Sequence, residues 1–175
     1  MQGNFRDPRQ QSGFSLFELF AVITIMGVLV GVLLQRMLYL QEYAEMTAMD
    51  LMVANLRTGL RYKTGDLLIR DKVSEIATLS DENPVNWLEG HPQNYLGEFD
   101  RKPDADLRGK WYFDKTRHEL VYTINNRRHF LPASGQGYAL RWQAVRLPEK
   151  EEDISGDRNK VHWVALVKVP GGTWF

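Results

Sequence analysis

The sequence contains no cysteine, which excludes disulfide frameworks, thiol chemistry and cysteine-ligated metal sites. The formal net charge is zero, so no overall field attracts nucleic acid or an anionic surface. There is no glycine-rich phosphate loop and no G-x-S-x-G motif. The histidines lie in separate predicted elements, and none forms the helical pair that a zinc hydrolase needs: His91, His118, His129 and His162. We therefore predict that the protein is not an enzyme and has no cofactor.

Charge is also nearly absent from one stretch, residues 14–34, where the only strongly polar side chains are Ser15, Glu18 and Thr24. A helix of about 21 residues is roughly 31 Å long, which matches the hydrocarbon thickness of a bilayer. The stretch is longer than the apolar region of a secretory signal, and no small-x-small cleavage site follows it. We predict a single transmembrane helix.

Residues 1–13 form a short basic tail, with Arg6 and Arg9 against Asp7. Under the positive-inside rule this tail stays in the cytoplasm, and the chain after the span emerges on the far side of the membrane. The chain is therefore predicted to cross its membrane once, with the carboxyl-terminal domain on the side away from the cytoplasm.

Glu18 is an acid close to the start of the span, where an unpaired charge costs about 2.5–3.5 kcal/mol or more. A plain membrane anchor does not require such a residue. Two interpretations stay open. Either Glu18 has a cationic partner within the membrane, or its side chain snorkels to the cytoplasmic headgroups.

The run Ser-Gly-Phe-Ser-Leu-Phe-Glu-Leu at residues 12–19 follows the basic tail and opens the span. It resembles the processing motif of type IV prepilins and type II secretion pseudopilins. The resemblance implies that a prepilin peptidase cuts after Gly13 and methylates the new amino terminus at Phe14. It also implies that Glu18 guides assembly with other pilins or pseudopilins. The location implied is a bacterial inner membrane, crossed once, with a periplasmic carboxyl-terminal domain, and then a filament in the periplasm or at the cell surface. The motif and the helix that follows cover about fifty residues of the chain.

Two positions depart from the pattern of that family. Phe17 stands where an aliphatic residue is usual, but it keeps the bulk and apolarity. Many pilins have a kinking proline at the position of Gln35. Gly27 and Gly31 are then the weak points of the span, and they serve either as a hinge or as small residues that let helices approach closely.

Residues 35–58 lack glycine and proline and are rich in helix formers, so the helix should continue to about Lys63 and end near Gly65. Apolar residues recur on one face at Met49, Val53, Leu56 and Leu60, and this face should carry the outer domain. The predicted organisation is a cleaved leader (1–13), a transmembrane half-helix (14–35), an amphipathic half-helix (36–65) and a periplasmic domain (66–175).

The outer domain should begin with a short helix over residues 66–79 and an ordered loop over residues 83–99. The sequence of that loop is similar to the sequences of loops in minor pilins of the mannose-sensitive haemagglutinin type. From Lys110 onward a period of two predicts four antiparallel strands. The fold class is α+β and pilin-like, with a long helix, half of it transmembrane, packed on a small antiparallel sheet.

Two polar segments are candidate binding sites. Oxygen-bearing side chains alternate in the acidic turn at Asp153, Ser155, Asp157 and Asn159, which favours either a solvated hairpin tip or a weak calcium site. The twelfth position of such a loop is Val164 rather than a glutamate. The pair Arg127 and Arg128 is typical of a solvated strand end, and we expect no nucleic-acid partner.

Together these patterns predict a structural subunit, a minor pilin or a pseudopilin, that assembles into a filament through its amino-terminal helix. Pilus and secretion filaments both fit the motif. The alternative is a periplasmic binding domain on a single-pass anchor that does not polymerise.

Overall fold

The structure is a computed structural model that describes residues 15–133, 135, 137–147 and 163–174. It contains helix α1 (Leu16–Ile69) and two 3-10 helices (Val73–Ser80 and Pro84–Trp87). The strands are β1 (Tyr95–Phe99), β2 (Lys110–Asp114), β3 (Glu119–Thr123), β4 (Phe130–Leu131), β5 (Ala139–Arg146), β6 (Val164–Lys168) and β7 (Thr173–Trp174). The chain divides into two compact units, Met1–Gln41 and Glu42–Phe175.

The first unit contains the apolar part of α1. This helix is long and apolar enough, by length and composition, to cross a membrane, and its most apolar 18-residue window has no buried residue. A core helix of a water-soluble domain would be mostly covered by the rest of the chain. The exposure of this segment is therefore that of a helix whose apolar surface needs another apolar environment.

The second unit is a helix packed on a sheet, as predicted. Met49, Val53, Leu56 and Leu60 are at most 6% exposed, so the predicted apolar stripe is the face of α1 that carries the domain. The spacing of these residues keeps them on one side of the helix. This α+β architecture confirms the coarse fold prediction.

The main sheet has the strand order β1-β2-β3-β5-β6. The four strands predicted from the period of two are β2, β3, β5 and β6, and they pair in antiparallel fashion. Two features were not predicted. Strand β1 adds to the edge of the sheet parallel to β2, and a separate two-stranded sheet joins β4 to β7.

Aromatic rings fill the space between helix and sheet. The ring of Trp111 on β2 lies 4.7 Å from that of Tyr122 on β3 and 5.3 Å from that of Trp142 on β5. On β5, alternate residues Leu140, Trp142 and Ala144 are buried, as the pattern predicts. The opposite face of β2 and β3 is also covered, because Leu107 joins Tyr112 and Val121 in a second apolar cluster there.

Helix α1 ends later than predicted. It continues through Gly65 to Ile69 because Thr64 and Leu67 belong to its buried face. It then stops in a Schellman motif, in which Asp71 takes a φ of 59°. The Lys72 N–H donates to the Leu67 carbonyl at 2.9 Å and the Asp71 N–H to the Leu68 carbonyl at 3.1 Å. The predicted second helix over residues 66–79 is therefore the end of α1 followed by the 3-10 helix Val73–Ser80.

The predicted ordered loop at residues 83–99 is organised by Asn83. Its side-chain oxygen caps the second 3-10 helix by accepting the Val85 N–H at 3.0 Å. Its amide donates to the Tyr95 hydroxyl at 2.7 Å and to the Glu98 carboxylate at 2.8 Å. This buried side chain thus ties the 3-10 helix to β1.

Two glycines on α1 test how closely this helix packs against the backbone of Trp87. A Cβ at Gly59 would lie 2.6 Å from the Trp87 carbonyl oxygen, whereas a Cβ at Gly65 would meet nothing within 4 Å. We expect Gly65→Ala to stabilise the protein by about 0.5–1 kcal/mol through helix propensity. Gly59→Ala should destabilise it by roughly 1–3 kcal/mol through overpacking, despite the same gain in propensity.

Urea unfolding of the full-length chain in detergent, followed by tryptophan fluorescence, measures both changes. Equal shifts for the two variants would contradict the packing of α1 on the Trp87 backbone.

Candidate functional site

Glu18 lies in the first turn of α1, and Ser15 immediately precedes the helix. The Ser15 side-chain oxygen accepts the Glu18 N–H at 3.2 Å, and the Ser15 carbonyl accepts the Leu19 N–H at 3.1 Å. Ser15 is thus the N-cap residue. The Glu18 side chain is exposed, and a carboxylate in the first turn interacts favourably with the helix dipole.

Several predicted site residues lie outside the described part of the chain. These are Gly13 and Phe14 at the predicted cleavage site, and Asp153, Ser155, Asp157 and Asn159 of the weak calcium candidate. The roles predicted for these residues remain predictions. Among the described residues, no group of three or more histidine, aspartate or glutamate side chains is placed to hold a metal ion.

The structure brings together two acids of α1 that the sequence analysis did not single out. The Glu42 side chain is 2% exposed. Its Oε1 accepts the backbone N–H of His129 at 2.9 Å, and its Oε2 lies 2.6 Å from the His129 ring Nδ1. An ionised carboxylate at this distance requires the proton on Nδ1, so we assign the ring nitrogen as the donor.

Glu45 lies one helical turn further along and binds the same connecting segment. Its Oε1 accepts the Asn125 N–H at 2.7 Å and the Tyr122 hydroxyl at 2.9 Å. Its Oε2 accepts the Asn126 N–H at 2.9 Å. We call Glu42 and Glu45, with the backbone donors of residues 125, 126 and 129, the clamp. It fastens the segment between β3 and β4 to the helix.

Electrostatics favour the ionised form of the clamp. Burial alone raises the pKa of Glu42, but the hydrogen bonds and charge of His129 outweigh burial and leave its pKa below the ordinary value. The indole of Trp174 adds to this lowering, although its buried Nε1 makes no hydrogen bond within the described residues. Burial, and then the neighbouring Glu45, raise the pKa of Tyr122, so its hydroxyl stays a donor.

The clamp also fixes the small sheet near the carboxyl end. His129 is followed at once by Phe130 of β4, which pairs with Trp174 of β7. The two rings meet edge to face at 5.3 Å. Gly172 fits tightly there, since a Cβ at that position would lie 2.6 Å from the Leu131 carbonyl. Residues 172–174 are thus held by a segment that depends on Glu42.

One sequence signal pointed to Glu42. It lies seven residues before Met49 and so continues the apolar stripe of α1, where an acid is out of place. The partner residues could not be inferred, because His129 is 87 residues away along the chain. The other described histidines contact rings, His91 stacking on Tyr95 and His118 meeting Phe113 edge to face.

Comparison of this chain with protein-family models, with curated proteins and with solved structures finds no match. The described residues comprise an apolar helical segment whose most apolar 18-residue window has no buried residue, with a capped and acidic first turn, and a separate small α+β unit that contains the clamp.

Proposed function

We propose that this protein is the precursor of a filament subunit, a minor pilin or pseudopilin, that is cleaved after Gly13 and assembles through its amino-terminal helix. The observation that carries the proposal is the combination of the motif at residues 12–19 with an apolar helix that its own domain leaves uncovered. The precursor would sit in the inner membrane with its carboxyl-terminal domain (66–175) in the periplasm. Neighbouring subunits would then replace lipid around the helix.

Glu18 has a physical role in this assembly. Cleavage would create a positively charged amino group at Phe14, four residues from Glu18 and at the edge of the hydrocarbon core. A neighbouring subunit displaced along the filament axis would let its Glu18 carboxylate neutralise that amino group. The attraction is several-fold stronger in a low-dielectric setting than in water. Such a pair would set the axial register between subunits.

Mass spectrometry of the chain purified from membranes tests the proposal. We expect residues 1–13 to be absent and Phe14 to carry one added methyl group on its amino nitrogen. Deletion of the prepilin peptidase should restore the full-length, unmethylated chain. An intact amino terminus in the wild-type strain would contradict the proposal and favour the single-pass anchored domain instead.

A further inference from the structure

We propose that the clamp and the two-stranded sheet β4–β7 form a latch, which opens as one piece when Glu42 is neutralised while the five-stranded sheet stays folded. The latch comprises residues 125–131 and 172–174. It lies wholly within the second unit of the chain, so it depends neither on membrane insertion nor on assembly into a filament.

Carboxylates, rather than strand partners, hold the segment that leads into β4. The N–H groups of Asn125 and Asn126 donate to Glu45 at 2.7 and 2.9 Å. The N–H of His129 donates to Glu42 at 2.9 Å. Because an acceptor lost from a partly buried donor is costly, the closed position of this segment depends on the two acids.

Strands β4 and β7 hold each other. They form a sheet of their own, and a pair of two-residue strands is at best marginally stable by itself. The rings of Phe130 and Trp174 meet edge to face at 5.3 Å, and a Cβ at Gly172 would lie 2.6 Å from Cε1 of Phe130. Neither strand can leave without uncovering the other, so we infer that they open together.

The five-stranded sheet has hydrogen bonds and a core of its own. Strand β5 pairs over five residues with β3 and over five residues with β6, and the side chains of Leu120 and Leu140 are at most 1% exposed. Phe130 also packs against this core, which keeps the latch closed while the clamp is intact. Once the clamp is lost, a small part of a domain can open at a lower free energy than the whole.

Protonation of Glu42 would release the latch. The O–H of a neutral carboxyl group donates, so the side chain can no longer accept both the N–H and the ring Nδ1–H of His129. The groups that face Glu42 are His129 from the segment, the Trp174 indole from β7 and the neighbouring acid Glu45 on α1.

The charge state of Glu42 keeps the latch closed at neutral pH. Burial raises the pKa of Glu42, but the hydrogen bonds and charge of His129 outweigh burial and leave that pKa below 4.5. The latch is therefore stable above this ordinary value and weakens as the pH falls through the lower folded pKa.

Hydrogen exchange of the full-length protein in detergent, followed by mass spectrometry, tests the latch. At neutral pH, Glu42→Ala should speed exchange at residues 125–131 and 172–174 by roughly tenfold or more, because the segment loses its buried acceptor. Exchange in β3 and β5 should not change. The wild type should show the same pattern at a pH below 4.5, with labelling times scaled to the intrinsic rate at each pH.

Two further variants test the coupling. Trp174→Ala removes the ring that covers Phe130, so it should speed exchange at residues 125–131 although Trp174 lies at the other end of the latch. Asp50→Ala is the control, because Asp50 is an exposed acid on the same helix, and it should leave exchange in both parts of the latch at the wild-type rate.

Faster exchange confined to residues 125–131 in Glu42→Ala would show that the two strands are not coupled. Equal acceleration throughout the five-stranded sheet would show that the segment opens only by global unfolding. Either result overturns the latch, as does unchanged exchange of the wild type in acid. If Glu42→Ala fails to fold, the acid series and Trp174→Ala decide the same question.

Discussion

Replacing Glu18 with alanine should leave cleavage after Gly13 and membrane insertion intact while incorporation into filaments falls by well over tenfold. The reason is the unpaired Phe14 amino group that the variant would bury among apolar helices, at a cost of about 2.5–3.5 kcal/mol. The start of the helix should survive, because the cap uses the Glu18 backbone N–H and the Ser15 hydroxyl rather than the Glu18 carboxylate. Recovery of sheared filaments and crosslinking to other subunits measure incorporation.

Two further variants separate charge from helix capping. Glu18→Gln keeps the size and polarity of the side chain but removes its charge, so it should assemble as poorly as the alanine variant. Ser15→Ala removes the cap, which is worth about 1 kcal/mol, but keeps the carboxylate, so it should still assemble. Wild-type assembly of Glu18→Ala would show that Glu18 is a tolerated snorkelling acid and that the register argument is wrong.

Periodicity predicted the elements that present a repeated burial pattern. On β5, Leu140, Trp142 and Ala144 alternate with polar neighbours. On α1, Met49, Val53 and Leu56 recur at helical spacing. In both elements the sequence itself therefore distinguishes the buried face from the solvent-exposed face. Strands β4 and β7 have only two residues each. No alternation can be recognised over two residues, so that small sheet was missed.

Local sequence signals gave wrong or incomplete predictions at the end of α1 and at β1, where tertiary contacts determine the structure. Gly65 suggested a helix end, but buried Leu67 keeps the helix in place against its domain, and the left-handed residue that ends it is Asp71. Glycine is the usual residue at such a position, and aspartate adopts it much less often. Strand β1 contains Gly97 with a φ of 111° and a register shift beside it, which obscured its pairing with β2.

The clamp shows a different limit of sequence reasoning. Glu42 and Glu45 bind mostly backbone N–H groups. Since every residue except proline has such a group, the amino-acid sequence does not indicate which residues are bound. The backbone donors at residues 125, 126 and 129 also follow three intervening strands along the chain. The predicted assembly residue Glu18 came from a short motif, whereas the partners of Glu42 and Glu45 could be recognised only from the fold.

Replacing Glu42 with alanine should destabilise the second unit by about 1–3 kcal/mol, because the partly buried His129 N–H loses its acceptor. Glu42→Gln should cost less, since its amide oxygen can still accept that N–H. Asp50→Ala is the matched control, because Asp50 is an exposed acid on the same helix, and its loss should change stability by no more than about 0.5 kcal/mol. Urea unfolding of the full-length protein in detergent gives all three values.

The same residue predicts how stability changes in acid. The pKa of Glu42 is lowered in the folded protein, so the folded state binds this proton less readily than the unfolded chain. Its stabilisation is therefore fully present above the ordinary value of 4.5 and is lost as the pH falls through the lower folded pKa. Glu42→Gln has no such proton to bind, so its unfolding free energy should decline less between neutral and acidic pH than that of the wild type. Identical acid dependence in the two proteins would show that the clamp carboxylate is not the group that titrates.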